Sequence, residues 1–154
     1  MQASIRAAFD PRGRLSRRAY GRFAVRALLV SAALLCLAIL LAGQGFRSAA
    51  LLAFCGNLFV LIAMLAQTVR RLHDRDRSAG WLGLYALVYA ASFAPVEDAA
   101  ERYPLPAFAF ALAILGFTLW FFAETFFRAG TRGRNRFGPE PPAQQQIRSM
   151  HSGR

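Results

Sequence analysis

The chain has 154 residues, is 56% hydrophobic and carries a formal net charge of +11, with its apolar and charged residues segregated into separate stretches. That combination excludes an ordinary soluble domain and sets a single unit within the usual range of ~100–200 residues. All 19 basic residues are arginine, as expected of codon bias, so the charge is informative while the choice of guanidinium over ammonium is not. Cys36 and Cys55 lie inside apolar runs without a Cys-x-x-Cys spacing, where a thiol acts as a small hydrophobe, so no disulfide, redox motif, metal or cofactor is expected from them.

In chain order, residues 1–26 hold seven arginines against the single carboxylate Asp10, and read as a basic arm at the cytoplasmic surface. Ser16 suits the N-cap of a short amphipathic helix carrying Tyr20 and Phe23 toward the interface, and a solvated leader is the equal alternative. Residues 23–42 are long enough for a first span. The apolar region of a signal peptide is the competing reading, opposed by the length of the basic leader. Residues 48–68 form a second apolar run interrupted by Asn57, whose amide is expected to hydrogen-bond a neighbouring helix.

Between the second and third apolar runs lies VRRLHDRDRSAGW, residues 69–81, with seven ionisable side chains that must sit in water. The third run, near residues 79–95, is short for a span, and the arginine distribution arbitrates. With four spans, 17 arginines fall on one side and only Arg47 and Arg102 on the other; without the third, the split becomes 12 to 7. The positive-inside rule therefore favours four spans. Glu97, Asp98 and Glu101, bounded by Pro95, Pro104 and Pro106, fit an outer connection rather than a helix interior. Residues 105–124 give the last span, with Glu124 at its edge suited to an interfacial ion pair. Gly130 and Gly133 read as the helix end, Pro139, Pro141 and Pro142 as a block to its resumption. The expected fold is an all-α integral membrane bundle of four transmembrane helices, both termini cytoplasmic, over residues 1–142, followed by a disordered tail at 143–154.

If the second helix continues through the charged loop, Arg70, Asp74 and Ser78 share a face, with His73 and Arg77 beside them. Among four arginines Asp74 reads as a clamp for guanidinium groups rather than a general acid. It is the carboxylate expected to be most important for stability, paired with an arginine one turn away, whereas Asp76 is expected to be solvated. His73 is the sole acid–base candidate, and neither a nucleophile with an oxyanion hole nor a spaced metal-ligand set accompanies it.

Three motifs, GRLSRRAY at Gly13–Tyr20, RRLHDRDRS with Trp81 at Arg70–Trp81, and GTRGRNRFGPEP at Gly130–Pro141, resemble in content and order the DUF805 family of small bacterial inner-membrane proteins. The chain departs from the usual pattern at Gly21, at Ala79, and at Arg134, where proline is frequent. The resemblance implies a four-helix membrane domain and supplies no activity. Because the three motifs fall in the segments that charge places in the cytoplasm, one composite binding surface is expected from Arg14, Arg17, Arg70, Arg71, His73, Asp74, Ser78, Trp81, Thr131 and Asn135. The expected role is a non-enzymatic binding or structural protein of the bacterial inner membrane, whose partners are membrane lipids with anionic phospholipid headgroups, a partner protein or a second copy, and not nucleic acid. A headgroup enzyme acting through His73 and a small transport component are the alternatives.

Overall fold

The computed structural model describes residues 2–94 and 97–142, leaving aside the side chains of residues 2–5 and 97–99; the tail expected at 143–154 lies outside the described residues. The described chain is helical, in six elements: α1 (Gln2–Phe9), α2 (Arg17–Gly43), α3 (Arg47–Asp74), α4 (Gly80–Ala91), α5 (Glu97–Arg102) and α6 (Pro104–Phe126). Three of them, α2, α3 and α6, are long and apolar enough to cross a membrane. At 1.5 Å per residue they measure about 40, 42 and 34 Å, whereas α4 reaches only about 18 Å.

The elements differ from the expected boundaries for identifiable reasons. Ser16 does cap a helix, its Oγ accepting from Ala19 N at 3.4 Å, but that helix runs without a break into the first apolar run rather than forming a separate short one. The second helix does not continue through the charged loop. It stops at Asp74 in a Schellman turn, where Arg77 N donates to Leu72 O and Asp76 N to His73 O, with Asp76 in the left-handed region at φ 56°. Ser78 is thereby thrown off the face of Arg70 and Asp74. The segment read as a plain connection contains α5, and Pro104 opens α6 at its first position, where a missing N–H costs nothing. The last helix ends at Phe126, four residues before Gly130, so the two glycines are not its cap.

Helices α2 and α3 form an antiparallel hairpin through a tight turn at Gly45, whose φ of +84° is the left-handed conformation glycine adopts freely. Small residues line the seam: Ala27, Ala38, Ala50, Ala63 and Ala66 are among the few buried apolar side chains. Gly56 lets α2 approach, since a Cβ there would stand 3.2 Å from Leu34 Cδ1. Within the seam Ser31 Oγ donates to Asn57 Oδ1, as expected of a mid-helix amide that has no water to bond. Helix α4 meets α6 through Tyr85 on Phe121, with ring centroids 4.4 Å apart, and Trp81 beside Trp120 at 5.2 Å. The outer faces carry Leu28, Ile39, Leu52, Phe59, Leu105 and Phe108, all exposed in the isolated chain, and this apolar area is what a hydrocarbon environment covers.

Candidate functional site: a closed ionic centre at one end of the bundle

The most deeply buried large side chains include Arg71, Asp74 and Glu124, all at the end where α3 and α6 stop. Asp74, the last residue of α3, has no exposed surface and uses both carboxylate oxygens. Its Oδ1 accepts from Arg14 Nε at 3.1 Å and faces Arg14 Nη2 at 3.0 Å; its Oδ2 accepts from Arg71 Nη1 at 2.5 Å. The expected pairing with arginine is present, but the partners are Arg71, three residues back, and Arg14, sixty residues away. Arg70, one full turn back, instead turns toward α1, where its Nη1 donates to Ala7 O at 3.4 Å and Gln67 Oε1 at 3.2 Å.

Both guanidinium groups are satisfied within the protein. Arg14 Nη1 donates to Gly133 O at 2.6 Å and its Nη2 to Thr131 O. Arg71 Nε donates to Thr125 O at 2.7 Å, Nη1 also reaches Leu15 O at 3.4 Å, and Nη2 donates to Arg128 O. Burial pulls the Arg71 guanidinium below its ordinary pKa, and the charge of Asp74 opposes that pull. Every nitrogen of both arginines thus has an acceptor, as ions removed from water require.

The main chain closes the same centre. Thr131 N donates to Asp74 O at 2.8 Å, Thr131 Oγ1 reaches that oxygen at 3.2 Å, and Leu15 N donates to Arg70 O at 3.1 Å, so segments remote in sequence satisfy carbonyls at the end of α3. Asn135 Nδ2 donates to His73 O and Thr131 Oγ1, both at 2.9 Å. Gly130 packs directly on the carboxylate: a Cβ at this position would stand 2.0 Å from Asp74 Oδ2. Its place in the motif reflects this approach rather than a helix cap.

His73 lies beyond the apolar part of α3. Its Nδ1 is 3.2 Å from Gly13 O and its ring stacks on Phe137, with centroids 3.9 Å apart and planes 7° apart. Burial lowers its pKa, a backbone hydrogen bond to Gly13 opposes this, and the charge of Arg136 lowers it further. The ring is thereby favoured neutral, with Nδ1–H as the donor to Gly13 O.

A second cluster adjoins the first. Glu124, almost fully buried, pairs with Arg75 at 3.0 Å, Arg77 at 3.1 Å and Arg128 at 3.0 Å, and Arg77 also lies 4.3 Å over the Trp81 ring. Asp76 is half-exposed and meets Arg136 at 3.1 Å, so it is paired as well as solvated.

Of the ten residues expected on one surface, Arg14, Arg71, His73, Asp74, Thr131 and Asn135 converge. Trp81 belongs to the Glu124 cluster and Arg70 to the α1 contact, while Ser78 is exposed and apart from both. Arg17 is exposed and donates to Phe127 O at 3.2 Å. Sequence reasoning missed the contributions of Thr125 O and of the main chain of Leu15, because no side-chain pattern marks a backbone group. Glu124 carried a signal in being the single acid at the edge of an arginine-rich surface.

Long apolar helices ending in a buried ionic knot define the class: these features fit a helical membrane protein of undetermined activity. More specifically, the chain belongs to the DUF805 family, described as a protein of unknown function, which it matches over residues 8–139. No curated protein and no solved structure matches it.

Proposed function

We propose that the protein is a non-enzymatic, multi-pass protein of the bacterial inner membrane, with four spans and both termini cytoplasmic, whose arginine-rich face binds anionic phospholipid headgroups. The observation that carries the lipid reading is what the ion pairs leave over. Asp74, Glu124 and Asp76 hold Arg14, Arg71, Arg75, Arg77, Arg128 and Arg136. Arg18, Arg22 and Arg26 remain exposed, without an ion pair among the described residues, at i, i+4 and i+8 on one face of α2. Like charges at that spacing oppose the helix, and phosphate groups at headgroup depth relieve them. In this reading the Asp74 centre is a structural lock, and His73, bonded to Gly13 and covered by Phe137, belongs to it.

Two features support the topology. Thr131 is hydrogen-bonded to Asp74, so the chain between them leaves and returns to the same end of the molecule. With α6 crossing once, the other crossing falls to the segment that contains α4. Single cysteines at Ser48 and Glu97, in a background where Cys36 and Cys55 are alanine, should label from the periplasmic side; cytoplasmic labelling of Glu97 would refute four spans. For the lipid reading, native mass spectrometry of protein from nanodiscs containing phosphatidylglycerol and phosphatidylcholine should show preferential retention of the anionic lipid. Equal retention of the two lipids counts against it.

A further inference from the structure

At the end of the bundle that carries the ionic centre, the start of α2 and the end of α6 enclose an open crevice of about 310 Å³, lined by Arg17, Arg18, Phe126 and Phe127. We infer that this crevice is a specific seat for the phosphodiester of an anionic glycerophospholipid, with the two arginines on the phosphate and the phenyl rings under the glycerol and upper acyl chain. The inference rests on the lipid reading above and narrows it from a charged face to four side chains.

Three observations converge on it. First, the cations are available. Arg18 makes no hydrogen bond or ion pair among the described residues, and Arg17 makes only the bond to Phe127 O, whereas every nitrogen of Arg14 and Arg71 already has an acceptor within the protein. Second, the charges sit at the opening of the 27-residue α2, whose dipole favours an anion, and they offset the opposite pole at the end of α6, where Phe127 O already accepts from Arg17. Third, the crevice is two-natured. Phe127 is 66% exposed beside the arginines, and a large aromatic left open next to unpaired cations suits an amphiphile better than a free inorganic ion. The seat also lies five to six residues before the apolar run that begins near residue 23, the depth of headgroups rather than of acyl chains. Arg18 starts the row that continues to Arg22 and Arg26, so a lipid seated here adjoins the rest of that face.

The test compares R17Q/R18Q, R18Q alone and the tail control R132Q/R134Q with the unaltered protein in nanodiscs of phosphatidylglycerol and phosphatidylcholine, by native mass spectrometry and by lipid titration. Arg18 has no hydrogen bond or ion pair among the described residues, so R18Q reports on the seat even if the double variant is poorly folded. The expected result is a loss of phosphatidylglycerol preference of roughly tenfold or more in R17Q/R18Q, a smaller loss in R18Q, and little change in the tail control. If the unaltered protein prefers phosphatidylglycerol but R17Q/R18Q and R18Q keep that preference while the tail control loses it, the seat is wrong and the lipid reading stands. Absence of preference in the unaltered protein overturns both. Inorganic phosphate is the second arm: it should fail to displace the lipid at millimolar concentrations, and full displacement would assign the crevice to a free anion instead.

Discussion

The shafts of the helices and the end where α3 stops solve opposite problems. Along the α2–α3 seam the buried apolar side chains are mostly alanines, and the large apolar residues point outward; at the end of α3 the deepest large side chains include Arg71, Asp74 and Glu124. In hydrocarbon, turning leucine inward gains little, because lipid tails are as apolar as leucine, so the shafts rely on close approach and on the Ser31–Asn57 hydrogen bond. Specification of the arrangement passes to the ionic end. There, a wrong docking leaves a buried charge unpaired.

The comparison breaks most completely if the carboxylate is removed. Asp74→Ala leaves Arg14 and Arg71 facing each other without an anion, and unfolding measured by denaturant titration in mixed micelles should show a loss of about 3–5 kcal/mol. Next comes Gly130→Ala, whose added methyl cannot coexist with Asp74 Oδ2 at 2.0 Å. The segment after α6 must move, at a cost of about 1–3 kcal/mol, and limited proteolysis should cut near residue 131 in the variant but not in the parent. In the shafts, Asn57→Leu should lose about 0.6–2 kcal/mol, the range for one interhelical hydrogen bond. A loss as large as that of Asp74→Ala would show that the two regions do not differ in kind.

Smaller effects sharpen the contrast within the ionic end itself. His73 has a folded pKa below its unfolded value, which lies near ~6.5, so between the two the unfolded chain binds more protons and stability rises with pH. Its contribution is therefore present above ~6.5 and lost as acid carries the pH down through the folded value. His73→Asn should flatten the part of a stability–pH profile that lies just below pH ~6.5, and an unchanged slope there would remove His73 from the lock. Smallest is Asp76→Gly, which keeps the left-handed turn and removes only a half-exposed pair with Arg136, for about 0–1 kcal/mol.

The apolar runs and the meeting of arm, loop and tail were legible in the sequence, because hydropathy and charge are additive along a chain and three arginine-rich segments with few acids need the carboxylates they have. What was not legible was which arginine pairs with which acid. Helical periodicity pointed to Arg70 for Asp74, yet periodicity speaks only for contacts within a helix, and Arg14 arrives from outside it. The stop at Asp74 was hidden for a related reason. The left-handed residue of that turn is Asp76 rather than glycine, and aspartate tolerates this conformation without advertising it. Gly130 was visible as a glycine, but the carboxylate that demands it lies 56 residues earlier.

The capping of the last α3 carbonyls by Leu15 and Thr131 has a consequence for biogenesis. A ribosome delivers Leu15 and Arg14 early and Thr131 late, so Asp74 and Arg71 are made 57 residues or more before Thr131, and over that interval part of their hydrogen-bonding environment does not yet exist. The nascent hairpin of α2 and α3 is therefore unfinished at its polar end until the segment after α6 arrives, and that arrival, rather than insertion of any one helix, completes the fold. A chain arrested before residue 130 exposes an unsealed charged end, which is the kind of surface that membrane proteases and insertion chaperones can tell apart from the finished protein.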